Sequence, residues 1–268
     1  MSSTTSYSPT LPGSSAAASP SGGVVISGAT SGLGRALAER FVQAGWRVGA
    51  AGRDASALDS LRLAAPSDMA TMQIDVCDPD APVLLRQLTD AIGGMDIYLH
   101  CPGILVDNDD LDPDIETRMA MTNSVGFAGM ISAAFRYFRD SGRSGRIVAI
   151  TSVAGCRGLG ALPAYSASKA FGQAYLEALR QRADHMRLPL KIIDIRPGWT
   201  RTPLLNQRRS YMLEMDPGYV ADRIFHAALH ARRSATVDWR WKILTILERL
   251  IPSSLWQRLH IPFWRDRR

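Results

Sequence analysis

Short apolar runs alternate with longer amphipathic stretches over most of the chain. The runs have the length and β-branched character of strands, at residues 24–27, 47–51, 72–74, 96–100, 146–150 and 191–195. Between the first two, Leu33, Leu37 and Phe41 recur at helical spacing before Gly45. This alternation predicts an α/β fold with a mainly parallel, doubly wound sheet and helices on both faces. Such sheets bind ligands at the carboxyl ends of their strands.

Composition divides the chain into three segments. Residues 1–23 carry no charge and are rich in Ser, Thr, Ala, Pro and Gly, which predicts a disordered tail without the basic and apolar parts of a signal peptide. Residues 24–238 are expected to form one domain. Residues 239–268 form a basic, Trp-rich extension, in which apolar residues at 243, 244, 246, 247, 250 and 251 predict an amphipathic helix.

The positive charge of the chain lies at its C-terminal end. Nine basic and three acidic residues occur between Arg232 and Arg268, which accounts for the formal net charge of +6. The remainder is neutral and gives no electrostatic reason to bind nucleic acid. Two alternatives remain for the extension. It either makes weak, salt-sensitive contact with an anionic membrane surface, or packs over the core or against a second copy of the chain.

The cysteines and the hydropathy pattern favour a cytoplasmic protein without a metal site. Cys77, Cys101 and Cys156 have no metal-ligand spacing, and their odd number argues against a disulfide framework. No apolar run approaches the ~18 residues that span a bilayer. Under the first alternative for the extension, the protein is peripheral at the inner face of a membrane.

A glycine-rich turn follows the first strand. Gly28, Gly32 and Gly34 let the backbone turn tightly and approach a pyrophosphate, whose charge is stabilised at the N-terminus of the next helix. The spacing Gly-x-x-x-Gly-x-Gly differs from the Gly-x-Gly-x-x-Gly of many dinucleotide sites. The turn predicts a dinucleotide cofactor, and a turn without a ligand is the plain alternative.

The end of the second strand decides which dinucleotide is expected. NAD sites usually place an acid there for the ribose 2′-hydroxyl, whereas NADP sites have a nearby arginine. This chain has Gly52 and Arg53, and a guanidinium pairs well with a 2′-phosphate, so the sequence predicts NADP(H). Alternatively, Arg53 is a solvated loop residue. Asp75, after the third strand, either accepts a hydrogen bond from adenine or caps a turn or helix.

A tyrosine and a lysine four residues apart carry the strongest chemical signal. On a helix, Tyr165 and Lys169 share one face, and the ammonium is expected to lower the pKa of the phenol. Ser152, after the fifth strand, adds a second hydroxyl. Two hydroxyls aimed at a carbonyl oxygen stabilise the charge that develops there during hydride transfer, and one supplies the proton. Taken singly, the residues also fit a core tyrosine and a turn serine.

Several motifs occur together in one order, namely Ser27-Gly28-x-x-x-Gly32-x-Gly34, Asp75, Asn123, Ser152, Tyr165-x-x-x-Lys169 and Pro197-Gly198. In this combination the chain resembles the compact short-chain dehydrogenases/reductases over residues 24–238. The resemblance implies one Rossmann-type, dinucleotide-binding catalytic domain of about seven parallel strands with a nicotinamide cofactor. It also implies a homodimer or homotetramer that assembles through the helices carrying Asn123 and Tyr165.

The resemblance assigns roles to the matching positions. Tyr165 is the proton donor in carbonyl reduction and the base in alcohol oxidation, Lys169 lowers its pKa and binds the nicotinamide ribose, and Ser152 holds the carbonyl oxygen. Asn123 anchors a proton-relay water. The short segment between Thr202 and Pro217 covers the substrate and leaves the pocket open on one side. The implied cofactor-binding residues are Ser27, Gly28, Thr30, Ser31, Gly32, Leu33, Gly34, Arg53, Asp75, Val76, Gly103, Tyr165, Lys169, Pro197, Gly198, Thr200 and Thr202.

One segment departs from the pattern of the family. The family usually has Asn-Asn-Ala-Gly after the fourth strand, where this chain has His100-Cys101-Pro102-Gly103. Gly103 keeps the backbone approach to the adenosine ribose. We expect His100 to be a core residue and Cys101 to be an inert thiol.

Together these observations predict an NADP(H)-dependent oxidoreductase that acts on a small-molecule carbonyl or alcohol. The apolar segment before Pro217 and the apolar extension favour a hydrophobic or lipid-like keto substrate, with small polar polyols as the next class. The altered residues at His100 leave one alternative of another kind. This is a catalytically quiet NADP(H)-binding protein that senses redox state or mediates an interaction.

Overall fold

A parallel sheet forms the centre of the structure, a computed structural model that describes residues 22–231, 233–259, 261 and 263–266. The strands in chain order are β1 (Gly23–Ser27), β2 (Arg47–Gly52), β3 (Met69–Gln73), β4 (Ile97–His100), β5 (Gly145–Ile150), β6 (Leu190–Arg196), β7 (Arg209–Tyr211), β8 (Ser234–Thr236) and β9 (Trp264–Asp266). Seven of them pair side by side in the order β3-β2-β1-β4-β5-β6-β8, and every pairing is parallel. The predicted doubly wound sheet is therefore confirmed.

Helices connect the strands and cover both faces of the sheet. They are α1 (Gly32–Gln43), α2 (Ala55–Ala64), α3 (Ala81–Ala91), α4 (Pro113–Ala120), α5 (Phe127–Ser141), α6 (Pro163–His185), α7 (Pro217–His230), α8 (Trp239–Leu250) and α9 (Ser253–Trp256). A π-helical turn, Met121–Gly126, joins α4 to α5, and a short 3-10 turn, Val153–Gly155, follows β5.

Two apolar cores lie on opposite faces of the sheet, because successive side chains of a strand point to opposite sides. Val24 and Ile26 of β1 belong to one core with Phe41 of α1, and Val25 belongs to the other core with Phe138 of α5. Strands buried on both faces appear in the sequence as continuous apolar runs, which explains why those runs located them.

The structure differs from the sequence expectation at the third strand. The sequence predicts that strand at residues 72–74, whereas β3 begins at Met69, which pairs with Val48 of β2. Ala70 and Thr71 are only partly buried, so the apolar run that marks the strand is short. Residues 1–21 of the predicted N-terminal tail lie outside the described residues, and Gly23 is already the first residue of β1.

The C-terminal extension contains the predicted amphipathic helix, but its apolar side faces outwards. In α8, Ile243, Ile246 and Leu247 are exposed, whereas Trp241 and Thr245 on the opposite side are buried against the domain. One of the two alternatives for the extension, packing over the core, therefore holds for the face of α8 with Trp241 and Thr245. Among the described residues, no helix combines the length and the hydrophobicity needed to cross a bilayer.

The turn between β1 and α1 depends on a close approach that excludes a side chain. A Cβ atom on Gly34 would overlap the carbonyl oxygen of Gly28, which is backbone and cannot move aside easily. Gly28 and Gly32 have φ angles of 75° and 52°, in the left-handed region that favours glycine. The first turn of α1 therefore packs directly on the end of β1.

We expect Gly34→Ala to lower the free energy of unfolding by about 1–3 kcal/mol, because the added methyl group forces the turn apart. Gly160→Ala is the matched control, since nothing lies within 4 Å of a Cβ atom at that position. The control should change stability by less than about 1 kcal/mol. Urea unfolding followed by circular dichroism gives both values, and equal midpoints for the two variants would contradict the packing described for the turn.

Candidate active site

A cleft of about 450 Å³ lies at the carboxyl edge of the sheet. Every predicted cofactor residue from Ser27 to Thr202 lines it, and so does Ser152. Asn123 lies behind the wall and is buried. The topology explains this convergence, because the segments that follow β1, β2, β4, β5 and β6 all meet at one edge of a parallel sheet.

The glycine turn presents the N-terminus of α1 to the cleft. Ser31 is the N-cap residue, yet its side chain makes no capping hydrogen bond, and the first turn contains no acidic residue. The free amides and the helix dipole favour an anion at this position. Because the glycines also leave no side chain in the way, the residues present fit the pyrophosphate of a dinucleotide.

Arg53 and Asp75 lie further along the same edge. Within the described part of the chain, no carboxylate pairs with the exposed guanidinium of Arg53, while the neighbouring Asp54 caps α2 by accepting from the Ala57 amide at 3.0 Å. Asp75 Oδ1 accepts from the Cys77 amide at 2.9 Å, so this carboxylate stabilises a turn, one of its two predicted roles. The guanidinium of Arg53 is therefore free to meet an anion, and the adenine contact of Asp75 stays a prediction.

Tyr165 and Lys169 lie in the first turns of α6, facing the end of β5. Lys169 Nζ is 5.6 Å from the centroid of the Tyr165 ring and donates a hydrogen bond to the carbonyl oxygen of Ile150 at 3.3 Å. Ser152 follows the same strand, and its side chain lies beside the phenol, where a hydrogen bond to the ionised oxygen favours a lower pKa of Tyr165. Helical spacing and the strand end thus bring two hydroxyls and an ammonium together, as the sequence predicts.

Burial dominates the acid–base behaviour of this pair. It raises the pKa of Tyr165 to about 12, against the opposing effect of the hydrogen bond with Ser152. It also lowers the pKa of Lys169 to about 8, while the negative charge of Asp194 acts in the other direction. The sequence expectation of a lowered tyrosine pKa is therefore wrong for this arrangement, since desolvation of the phenolate outweighs the nearby ammonium. The phenol is protonated at neutral pH.

Asn123 fixes the loop after β4 from the π-helical turn. Its Oδ1 accepts from the Ile104 amide at 2.9 Å, and its Nδ2 donates to the Ile104 carbonyl at 2.9 Å and to Ser168 Oγ at 3.2 Å. A Cβ atom on Gly103 would lie 3.2 Å from Lys169 Nζ and 3.5 Å from Asn123 Oδ1, so both polar atoms face this glycine. An amide oxygen accepts two hydrogen bonds, which leaves one for the predicted water.

Of the residues that depart from the family pattern, His100 packs behind the cleft, whereas Cys101 and Pro102 line it. His100 is fully buried in β4, and its Nδ1 lies 2.9 Å from the hydroxyl of Tyr98, which lies 2.9 Å from Ser27 Oγ. Burial and the charge of Lys169 lower the pKa of His100 to about 3, so the imidazole is neutral. Burial also raises the pKa of Cys101, which keeps it a thiol. The expectation that His100 is a core residue is confirmed.

The loop of residues 197–202 faces the glycine turn across the cleft. Thr200 Oγ1 donates to the carbonyl of Gly198 at 3.1 Å, and Thr202 Oγ1 donates to the carbonyl of Thr200 at 3.3 Å. These bonds hold both threonines at the wall where the resemblance expects the nicotinamide carboxamide. Among the described residues, no three His, Cys, Asp or Glu side chains are placed to hold a metal ion.

The C-terminal extension supplies part of the cleft wall, which sequence reasoning missed. Trp241 and Glu248 of α8 line the cleft together with Phe263. The indole of Trp241 packs so closely on Gly198 that a Cβ atom there would overlap it. Trp241, Thr245 and Glu248 do recur at helical spacing, but they form the less apolar side of the helix, which the pattern alone assigns to solvent.

The segment of residues 202–216 covers the cleft and is fastened at two points. Arg209 Nη1 is 2.7 Å from Asp107 Oδ1, and the guanidinium of Arg209 lies 4.6 Å from the centroid of the Trp264 ring. Strand β7 of this segment pairs antiparallel with β9. The extension therefore supports the segment that covers the cleft.

The chain is similar in sequence to known oxidoreductases. The family profile described as short chain dehydrogenase matches residues 23–212. An uncharacterized oxidoreductase of Myxococcus xanthus is 30% identical over 239 residues, which cover 86% of this chain and 93% of that protein. Dehydrogenase/reductase SDR family member 7B of Bos taurus is 32% identical over 193 residues, which cover 68% of this chain and 58% of that protein.

Solved structures share the fold. The actinorhodin polyketide ketoreductase with NADPH aligns with a TM-score of 0.70 at 22% identity, over 81% of this chain and 95% of that chain. A short chain dehydrogenase from Bacillus anthracis aligns with a TM-score of 0.71 at 20% identity, over 82% of this chain and 96% of that chain. The sequence match, which extends over residues 23–212, shows that the chain belongs to the short-chain dehydrogenase/reductase family of oxidoreductases.

Proposed function

We propose that this protein is an NADP(H)-dependent reductase that converts a hydrophobic, lipid-like ketone or aldehyde to the alcohol, or catalyses the reverse oxidation. The observation that carries the proposal is the convergence of Ser152, Tyr165 and Lys169 at one cleft beside the glycine turn. A protein that only binds the cofactor needs the turn, but it has no use for two hydroxyls and a buried ammonium side by side.

The residues of the cleft divide the work. The glycine turn and the N-terminus of α1 would hold the pyrophosphate, and Lys169 would hold the ribose hydroxyls. NADPH, when bound, supplies the hydride. Ser152 donates a hydrogen bond to the carbonyl oxygen of the substrate, and Tyr165 transfers its phenolic proton to that oxygen. Asn123 would orient a water that returns the proton.

The protonation states support the direction of reduction. Tyr165, with its pKa raised to about 12, holds its proton at neutral pH, as a general acid must. After the transfer, a phenolate lies beside Lys169, whose positive charge stabilises it. Lys169 must therefore be protonated, and its pKa of about 8 sets the upper pH limit of the reaction.

Arg53 supports NADPH as the preferred cofactor. It lies at the end of β2 and lines the cleft with a guanidinium that no described carboxylate neutralises. A guanidinium forms charge-assisted hydrogen bonds with a phosphate, and NADPH differs from NADH by the 2′-phosphate. The actinorhodin ketoreductase, which shares the fold, was solved with NADPH.

The apolar walls of the cleft support a hydrophobic substrate. Polar polyols lose hydration in such a site without regaining hydrogen bonds, whereas apolar chains gain from leaving water. The large apolar side chains that line the cleft are Ile104, Leu105, Leu159, Leu204, Leu205, Trp241 and Phe263.

The catalytically quiet NADP(H)-binding protein remains the alternative. Its support in the sequence is the replacement of Asn-Asn-Ala by His100-Cys101-Pro102. Because His100 packs behind the cleft and Gly103 leaves room for Lys169, the replacement does not displace the catalytic residues. This observation favours the enzyme.

We further propose that the enzyme works in the cytoplasm as a homodimer or homotetramer, with its extension in peripheral contact with a membrane. Met121 and Val125 of the π-helical turn and Phe171 of α6 are exposed on the two helices expected at the interface. Phe171 stacks on Tyr175 with ring centroids 5.7 Å apart. Burial of these side chains against a second copy would remove a large apolar surface from water.

Removing the phenolic hydroxyl should stop catalysis without removing the cofactor site. We expect Tyr165→Phe to lower kcat of carbonyl reduction by at least about 100-fold, because the general acid is lost. NADPH oxidation over carbonyl compounds from small aldehydes to long-chain 3-keto lipids measures turnover, and a fluorescence titration measures NADPH binding. Tyr175→Phe, on the same helix, is the matched control. Turnover that survives in Tyr165→Phe contradicts the proposed acid, and NADPH binding without any turnover in the unmodified protein favours the quiet alternative.

Removing the guanidinium at the end of β2 should change cofactor preference. We expect Arg53→Ala to weaken NADPH binding by about 10–100-fold, since a charge-assisted contact is lost. Affinity for NADH should stay unchanged, because NADH lacks the 2′-phosphate. Arg62→Ala is the control, since Arg62 is an exposed arginine of α2 that pairs with Asp59. Equal losses for both cofactors would show that Arg53 does not recognise the phosphate.

The buried lysine should give carbonyl reduction an alkaline limit. We expect kcat/KM to fall as the pH rises through about 8, because Lys169 loses its charge above its pKa. The charge of Asp194 raises that pKa, so Asp194→Asn should move the midpoint to lower pH. Asp96→Asn, at the amino edge of the sheet, is the control. A lower rate at an unchanged midpoint would show that Asp194 acts on stability alone.

A further inference from the structure

Helix α8 exposes a continuous apolar stripe. At about 100° per residue, Trp239, Ile243, Ile246, Leu247 and Leu250 fall on one side of the helix. All five are exposed, from 48% for Ile243 to 74% for Leu250. A contiguous group of large apolar side chains in water is a mark of an interaction surface.

The opposite side of α8 packs against the domain. Trp241 and Thr245 are buried, and Glu248 lines the cleft. Arg157 Nη1 holds the end of the helix by donating to the carbonyl oxygens of Glu248 at 2.9 Å and Ile251 at 2.8 Å. The stripe therefore cannot turn inwards without dismantling the wall of the cleft.

The charges that border the stripe are basic. Lys242 and Arg249 lie on one flank of the stripe by helical angle, and Arg240 lies on the other. Arg240 pairs with Asp238 at 2.9 Å. Lys242 and Arg249 have no carboxylate partner among the described residues, Arg249 donating to the Cys156 thiol at 4.0 Å. The uncompensated positive charge therefore lies on the first flank. Glu248, the acidic residue of the helix, faces the cleft instead.

The same character continues after the helix. Leu255 and Leu259 are exposed, and Arg258 between them is exposed as well. Acidic residues are absent from positions 249–259. The apolar stripe and its basic border therefore extend beyond Leu250.

The basic border distinguishes between the candidate occupants of this surface. In a two-fold contact between antiparallel helices the same patch meets itself, so the flank with Lys242 and Arg249 would face the same basic flank of the second copy and repel it. An anionic bilayer instead offers acyl chains to the stripe and phosphates to the basic border. Trp239, the first residue of α8, is a side chain that favours the level of the lipid headgroups.

We propose that α8 and residues 251–259 lie in the headgroup region of a membrane that contains anionic phospholipids, with the stripe towards the acyl chains. The helix then separates lipid on its outer side from the cleft on its inner side. One consequence rests on the proposed function: a lipid-like keto substrate dissolved in the bilayer reaches the cleft next to α8 with little exposure to water.

Cosedimentation of the full chain with phosphatidylcholine vesicles, with and without phosphatidylserine, tests the proposal. We expect binding to the vesicles with phosphatidylserine, and a loss of binding as sodium chloride is raised. Ile246→Glu with Leu250→Glu should lower the partition coefficient by at least about tenfold. The matched control is Leu63→Glu with Val83→Glu, which makes the same change at exposed apolar positions on α2 and α3.

Each outcome decides the proposal. The proposal is supported if the control variant still binds anionic vesicles and the Ile246→Glu, Leu250→Glu variant does not. Three results overturn it: no binding to anionic vesicles, equal binding to vesicles without phosphatidylserine, or equal losses in both variant pairs. Light scattering in the absence of lipid provides a fourth result that would overturn the proposal. If the protein is an oligomer that the Ile246→Glu, Leu250→Glu variant dissociates and the control variant does not, a second copy covers the stripe. The assay involves no turnover, so its failure leaves the proposed reductase activity standing.

Discussion

The proposed catalytic centre depends on placing one ammonium group in a buried site. Lys169 is 7% exposed, and a buried charge is costly unless its neighbours stabilise it. The carbonyl of Ile150 accepts its hydrogen bond, Gly103 leaves it room, and Asp194 supplies negative charge nearby. Burial, assisted by the same ammonium charge, keeps His100 neutral in the strand behind the cleft. Fold and chemistry are linked at this point, because these neighbours lie in or directly after three adjacent strands, β4, β5 and β6.

The C-terminal extension helps to hold this site in place. Arg157, five residues after Ser152, bonds to carbonyls at the end of α8, and the indole of Trp256 donates to the carbonyl of Gly158 at 2.9 Å. The loop that follows Ser152 is therefore held by the extension. A charged side chain, Glu248, reaches the cleft from the same helix, so the chemistry of the pocket is partly determined by residues far along the chain.

Some of this arrangement could be predicted from the sequence, and the reasons are physical. Buried parallel strands appear as apolar runs, and the motifs that follow them must meet at one edge of the sheet. The sheet and the residues of the cleft could therefore be predicted. The pKa of Tyr165 could not be predicted, because helical spacing gives the distance of the phenol from Lys169 but not the desolvation that outweighs the charge of the ammonium. The orientation of α8 could not be predicted either. Periodicity identifies two faces of a helix, and tertiary packing of Trp241 decided which face the domain covers.

The short strand β9 ties the cover of the cleft to the far end of the chain. Beyond its backbone pairing with β7, Trp264 joins an aromatic cluster with Trp199 and Tyr211, whose ring centroids lie 4.9 Å from one another. Recombinant protein should therefore carry its affinity tag ahead of Gly22 rather than behind Asp266. Trimming or crowding residues 264–266 to aid crystallisation would disturb the segment that covers the cleft, so a loss of activity in such a preparation would not count against the proposed reductase.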